Sequence, residues 1–470
     1  MEYDVVIGLE VHAELKTKTK VFCGCKNEFG GQPNTHCCPV CLGLPGALPV
    51  LNKEALKLAI KAGLALGCQI NETAVFERKN YFYPDLPKSY QISQMVRPIC
   101  LGGHLKVGEK EIPINRIHLE EDAGKLIHST DGAVTMIDYN RGGVPLIELV
   151  TDALQAPHIE SADEAVEFLE KLRQVYIFTD VADCVIEKGQ MRADVNVSLK
   201  PKGSDKFGTK VEMKNIMGFK AVYRAINYEI ERQKQILAKG GEIEQETRRW
   251  DDTAGESYTM RKKENAQDYR YFPDPDLLAV EVSREVVEKI REEIPMLPEQ
   301  LKEKYLALGL SEYEVDIIVK DQNLIDFFEK TYGGCKNAKA VSNWLLGEVS
   351  SLAKEDGEIK ISPEDMAKII CLMDAGKINR SVAKTIFTKA WSEDVDVDSL
   401  AKALGGSLTD GELESMICQI IENNPKAVGD YKTGAEPDKL LKWFVGQVMK
   451  ESRGKANATK AEEILKTKLD

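Results

Sequence analysis

Glu10, His12 and Glu14 alternate along an apolar run, Val5-Val6-Ile7-Gly8-Leu9-Glu10-Val11-His12-Ala13-Glu14-Leu15. Extended backbone sends alternate side chains to opposite faces, so the three polar groups share one face and Leu9, Val11, Ala13 and Leu15 point into a core. A carboxylate and an imidazole on one face can share a divalent ion. A solvated polar face is the plainer reading of this run taken alone. The same design recurs in Met191-Arg192-Ala193-Asp194-Val195-Asn196-Val197-Ser198, which aligns Arg192, Asp194, Asn196 and Ser198. It recurs again in Lys210, Glu212 and Lys214, ahead of Asn215. Groups of mixed sign and mixed hydrogen-bonding type suit a groove for a charged, many-functional ligand.

Two further runs supply carboxylates. His118-Leu119-Glu120-Glu121-Asp122-Ala123-Gly124-Lys125 packs three consecutive acids between a histidine and a Gly-Lys, where a solvated acidic turn is the alternative. Glu148 is the lone acid of the apolar stretch Val144-Pro145-Leu146-Ile147-Glu148. A buried lone glutamate is costly unless it is paired or bound to metal. Glu10, His12, Glu121 and Glu148 together would form a hard, oxygen-rich site with one nitrogen. Mg²⁺ is its expected occupant and Mn²⁺ the alternative. Among phosphate and nucleophile motifs, no G-x-x-x-x-G-K-[ST], G-x-S-x-G or H-E-x-x-H run occurs, so phosphate chemistry would need another scaffold.

Cysteines make a second centre. Five of the eleven lie between Cys23 and Cys41. Cys23-Gly24-Cys25 and Cys38-Pro39-Val40-Cys41 form two tight thiol pairs, with Cys37 and His36 as competitors for a place. Four thiolates on two loops predict a tetrahedral Zn²⁺ site, and a fully protein-filled shell makes it structural. A group of free core cysteines is the alternative.

The elements that must position these groups follow from composition and pattern. A chain of 470 residues with 43% hydrophobic and 30% charged side chains allows two to four globular domains. Mean hydropathy is −0.31, and no apolar run approaches the ~18 residues of a membrane helix. The acidic start, Met1-Glu2-Tyr3-Asp4, predicts no secretory leader. A net charge of −13 argues against a chain that coats nucleic acid without specificity, although a local basic surface remains compatible. Up to about residue 293 the short alternating runs predict a β-rich α+β catalytic domain. Pro298-Glu299 reads as a helix start, and Ser362-Pro363-Glu364-Asp365 as a capped one, giving a helical domain over 294–405. The final segment, 406–470, is helical and locally basic, with Lys450, Arg453 and Lys455 beside Gly446-Gln447.

Long blocks of the chain resemble the B-subunit family of the tRNA-dependent amidotransferases. They include Ile7-Gly8-Leu9-Glu10-Val11-His12, Cys38-Pro39-Val40-Cys41-Leu42-Gly43-Leu44-Pro45-Gly46 and Arg78-Lys79-Asn80-Tyr81-Phe82-Tyr83-Pro84-Asp85. The acidic run after His118, Lys188-Gly189-Gln190-Met191-Arg192-Ala193-Asp194, Gln245-Glu246-Thr247-Arg248-Arg249-Trp250 and Asp268-Tyr269-Arg270-Tyr271-Phe272-Pro273 continue the similarity across the chain. The resemblance implies a cytoplasmic enzyme component that works with a glutaminase (amidase) partner and a small third subunit on a misacylated tRNA. With ATP and Mg²⁺ it would phosphorylate the side-chain carboxylate of Glu-tRNA(Gln) or Asp-tRNA(Asn), and ammonia would displace the phosphate. It implies Glu10, His12, Glu121 and Glu148 as Mg²⁺ ligands or their immediate shell. Lys79, Arg192, Asp194, Asn196, Lys214 and Asn215 become candidates for the ATP and aminoacyl-end pocket, and Tyr81, Tyr83 and Tyr90 for stacking on the terminal adenosine. Lys450, Arg453 and Lys455 match the part of the family that grips the tRNA body, and zinc is a scaffold feature. A non-catalytic tRNA-binding scaffold is the rival reading. A zinc-stabilised ligase unrelated to tRNA would leave the basic tail without a purpose.

Overall fold

The computed structural model describes residues 2–262, 268–404, 410–432, 437–452 and 456–469, in two compact units, Met1–Leu297 and Pro298–Asp470. The first is α+β, as expected. In chain order its site-bearing elements are β1 (Tyr3–Glu14), α1 (Lys53–Ala65), β2 (Glu77–Asn80), β3 (Tyr90–Ser93) and β4 (Lys110–Glu121). They continue with β5 (Pro145–Thr151), α2 (Ala162–Phe178), β6 (Met191–Pro201), β7 (Val211–Lys214), α3 (Phe219–Ala238), β8 (Glu246–Asp251) and β9 (Glu256–Lys262). A ten-stranded sheet runs β9-β8-β7-β6-β1-β5-β4 and ends on the short strands Cys100–Leu101 and Gln69–Ile70, with His104–Val107 pairing to β4 off this path. Strand β1 lies at its centre, antiparallel to both β5 and β6; β7 and β8 pair in parallel.

Alternation decides the two faces. Leu9, Val11, Ala13, Ile117, Leu119, Ile147, Leu149, Val195 and Val197 are buried in one cluster with Leu58 of α1, Phe168 of α2 and Ile226 of α3. Each fully buried aliphatic side chain contributes about 1.5–3 kcal/mol, so this face sets the register. Local chemistry places the helices against it. Asn52 caps α1 by accepting from the Glu54 and Ala55 amides, and Ser161 caps α2 through the Glu164 amide. The opposite face keeps the polar residues.

The second unit is helical. Its first helix is Pro298–Ala307, and Ser362 caps Pro363–Asp374 with proline at the helix start, both as the sequence predicts. The last helices, Asp410–Asn423, Pro437–Glu451 and Ala458–Leu469, bury Leu413, Ile417, Phe444, Val448 and Leu465 in a cluster of their own.

Candidate metal-binding and catalytic face

Register across three strands builds the centre. His12 of β1 pairs with Glu148 of β5, and Glu148 pairs with His118 of β4. Their side chains meet on the polar face. His12 Nε2 lies 3.4 Å from Glu148 and 3.5 Å from Glu120, and His118 Nε2 lies 3.2 and 3.5 Å from the same two carboxylates. Glu120 also accepts from the Ser93 hydroxyl at 3.3 Å. His118 and Glu120 are almost wholly buried.

Charge balance follows from burial. Desolvation disfavours the His118 imidazolium, yet the facing Glu148 and Glu120 outweigh it and push its pKa up to about 9. The same carboxylates raise His12 against its own burial. Burial opposes the Glu148 carboxylate in turn, but His118 and His12 hold it well below the usual range. Lys79 of β2 completes the balance. Burial works against its charge, and Glu120 and Glu148 raise its pKa all the same. Its ammonium sits over the Tyr269 ring at 5.0 Å and the Tyr81 ring at 6.0 Å.

Two residues of the expected ligand set, Glu121 and Glu10, stand outside this cluster. Glu121 is the strand neighbour of Glu120, so it points to the other side of β4. There its two carboxylate oxygens accept from Lys88 Nζ at 2.5 and 2.6 Å, and one also accepts from the Ile92 amide at 2.9 Å. Glu120 takes the place beside His12 and Glu148 that the sequence pattern assigns to Glu121. The pairing of Glu148 with His118 fixes that parity. In the sequence His118 stands out only as a boundary of the acidic run, although His118 and Glu120 alternate as Glu10 and His12 do.

Glu10 belongs to a second group on the same face. It pairs with Asp194 across β1 and β6, and its carboxylate accepts from Asn196 Nδ2 at 3.0 Å. Carboxylate oxygens of Glu10, Asp194 and Glu212 lie within 4.8 Å of one another. Lys214 bridges two of them, at 2.6 Å from Asp194 and 3.1 Å from Glu212. Burial together with Glu148 raises the Glu10 pKa despite Lys214. Thr247 of β8 donates to Glu212 at 2.7 Å and orients it. Arg192 pairs with Asp122 at 2.5 Å.

The remaining candidates separate. Tyr81 donates to Gln91 at 3.2 Å and meets Tyr269 edge to face, 5.9 Å between ring centres. Tyr90 carries the Arg78 guanidinium 4.2 Å above its ring, and Tyr83 is exposed. Asn215 adopts a left-handed φ of 65° and donates to the Trp250 carbonyl at 3.1 Å, which holds the turn after β7. Lys450 is exposed at the end of its helix; Arg453 and Lys455 lie outside the described residues.

The cysteine cluster forms as its spacing predicts. Sulfurs of Cys23, Cys25, Cys38 and Cys41 lie within 4.8 Å of one another, and Cys38 and Cys41 are 3.9 Å apart. Tetrahedral Zn²⁺ with bonds near 2.3 Å needs sulfurs about 3.8 Å apart, so the donor set fits. The Cys38 amide donates to Cys41 Sγ at 3.1 Å. Hydrogen bonding from Cys23 outweighs burial and lowers the Cys41 thiol to about 4. Carboxylate and imidazole donors gathered at His12, Glu120 and Glu148 fit a harder ion such as Mg²⁺ or Mn²⁺.

Comparison with known proteins agrees with this architecture. The family model of the GatB/GatE catalytic domain matches residues 5–288, and that of the GatB domain matches residues 326–469. The chain is 49% identical to the B subunit of the aspartyl/glutamyl-tRNA(Asn/Gln) amidotransferase of Carboxydothermus hydrogenoformans, over 100% of this chain and 99% of the relative. It is 48% identical to the proteins of the same name from Caldicellulosiruptor bescii and Persephonella marina, each aligned over the full length of both chains. Among the described residues no helix is long and apolar enough to cross a membrane. With both family models matched in order, and with near-half identity from end to end, the chain belongs to the GatB family of amidotransferase B subunits.

Proposed function

We propose that this chain is the carboxylate-activating, tRNA-binding subunit of a cytoplasmic tRNA-dependent amidotransferase. Its substrate is a misacylated Glu-tRNA(Gln) or Asp-tRNA(Asn), and its partners are a glutaminase and a small third subunit. ATP supplies the phosphoryl group. Its transfer to a side-chain carboxylate oxygen yields ADP and an acyl phosphate; ammonia from the glutaminase then attacks the acyl carbon, and phosphate leaves. The observation that carries this reading is the convergence of His12, Glu120 and Glu148 beside Lys79 on one sheet face.

A bound divalent cation would neutralise the phosphate charge that moves during transfer. His12, Glu120 and Glu148 would hold it, with Glu10, Asp194 and Glu212 as the neighbouring carboxylate group. A cation held there would need His12 neutral, so its affinity would rise with pH. Lys79, Lys214 and Arg192 present fixed cations to anionic substrate groups. Asn196 holds Glu10 in place. Zinc on the four cysteines is structural. The 406–470 segment, which has its own apolar cluster, presents Lys450 and its basic neighbours to the tRNA body.

ATP hydrolysis by the reconstituted complex, with and without Glu-tRNA(Gln), tests this reading in native protein and in Glu10→Ala. Turnover that requires charged tRNA and disappears in the variant is expected. ATP use that is indifferent both to Glu10→Ala and to Glu148→Gln would remove the metal face from the mechanism and leave a tRNA-binding scaffold.

A further inference from the structure

Lys20 is fully buried, with 0% exposure. Its ammonium donates to the Tyr139 carbonyl at 3.3 Å, and among the described residues no carboxylate pairs with it. A buried ammonium without a counter-ion is costly. It sits beside the cysteine loops: a Cβ on Gly143 would touch both the Lys20 stem and Cys41, and the Lys20 amide donates to the Cys25 carbonyl at 3.0 Å inside the Cys23–Cys25 loop. Four thiolates around Zn²⁺ carry a net charge of about −2, which a buried site must offset.

The same residue touches the turn that precedes β5. Gly143 has a φ of +85°, and a Cβ there would lie 3.5 Å from Lys20 Cδ and 3.7 Å from Cys41 Cβ. The Val21 amide donates to the Gly143 carbonyl at 2.9 Å. The Gly143 amide donates to the Asp122 carbonyl at 2.9 Å, and the Asp122 amide returns a bond to the Val144 carbonyl at 2.9 Å. Asp122 follows Glu120 and Glu121 at the end of β4, and Val144 immediately precedes β5, which carries Glu148. A continuous bonded path therefore runs from the cysteine loop to the strand ends that align Glu120 with Glu148.

We propose that Lys20 is a positioning residue that couples the two centres: its ammonium offsets the thiolate charge, and its stem with Gly143 keys the turn that sets Glu120 against Glu148. The inference rests on the reading of His12, Glu120 and Glu148 as a divalent-cation site.

Two readouts on the full-length chain test it: zinc release to a chromogenic chelator, and the Mn²⁺ dissociation constant measured from the electron paramagnetic resonance of free Mn²⁺. Lys20→Met, which keeps the apolar stem, is expected to release zinc roughly 10-fold faster and to weaken Mn²⁺ several-fold. Native protein stripped of zinc and still folded by circular dichroism should show the same weakening. Gly143→Ala retains every ligand and Lys20, so it should weaken Mn²⁺ at full zinc content, and it carries the test if Lys20→Met fails to fold. Mn²⁺ affinity that is indifferent to zinc removal and to both variants overturns the coupling. Unchanged zinc release in Lys20→Met overturns the charge role. Native protein that binds no Mn²⁺ overturns the underlying site reading instead, and zinc release still decides the role of Lys20.

Discussion

Four thiols of one loop region, Cys23 to Cys41, make a soft donor cluster whose members are near neighbours in sequence. His12, Glu120 and Glu148 make a hard donor cluster from three strands, and their closeness depends on antiparallel register over long chain separations. The first can be assembled by local turns once metal is present. The second exists only when the whole apolar face of the sheet is packed. Mutation of a ligand should therefore have opposite signatures. Loss of a thiol strikes stability, because the four sulfurs meet where the Cys23–Cys25 loop and the Cys38–Cys41 loop come together. Loss of a strand carboxylate strikes chemistry, because Leu149 and its buried neighbours hold the strand regardless.

The largest expected effect is on rate. Glu148→Gln should lower tRNA-dependent ATP turnover by roughly 100-fold or more, since one charged donor leaves a site that acts on moving phosphate charge. Zinc content, measured by atomic absorption, should stay at one per chain. Cys41→Ser should act first on the scaffold: zinc content near zero, a midpoint of thermal unfolding lower by roughly 5 °C or more, and only the several-fold weakening of Mn²⁺ expected of zinc-free protein. If Glu148→Gln also loses its zinc, the division of labour between the two centres fails.

A narrower prediction concerns two adjacent residues. Glu120→Gln should weaken Mn²⁺ binding by roughly 10- to 100-fold. Glu121→Gln should retain Mn²⁺ and lose stability instead, because it leaves the half-buried Lys88 ammonium without its 2.5 Å partner. Equal Mn²⁺ losses in the two variants would reject the strand parity.

These two residues also mark the limit of sequence reading. The thiol cluster was legible because its spacing is local. So were the polar face of β1, the loneliness of Glu148 and the helix starts at Pro298 and Ser362, each of which depends on alternation, burial or capping within a few residues. Which of three consecutive acids faces His12 depends on the pairing of β4 with β5, and no local rule states that pairing. Counting on from His118 by the strand period of two would have found Glu120. Nothing in the sequence marked Lys20, whose role appears only when the cysteine loop and the Gly143 turn are packed together.

Acid would dissociate metal from either centre, so pH experiments on them need the acid sensitivity of the scaffold to be known separately. Glu314 of the second unit offers a measurable case far from any metal ligand in sequence. It closes a capping box with Ser311, accepts from Ser342 at 2.8 Å and pairs with Lys339 at 2.7 Å. Burial opposes its charge, but Lys339 and the serines lower its pKa from 4.5 to about 2. A carboxyl depressed on folding contributes stability above its unfolded value, and that stability is lost as pH falls through the folded one. Glu314→Gln should therefore lower the unfolding midpoint at pH 7 by roughly 2–6 °C, the smallest effect expected here. The gap from native protein should hold down to about pH 5 and close between about 4.5 and 2. A gap that is the same at pH 7 and pH 2.5 would mean that Glu314 acts through packing and not through charge. The acid sensitivity of the two metal centres would then need no correction for it.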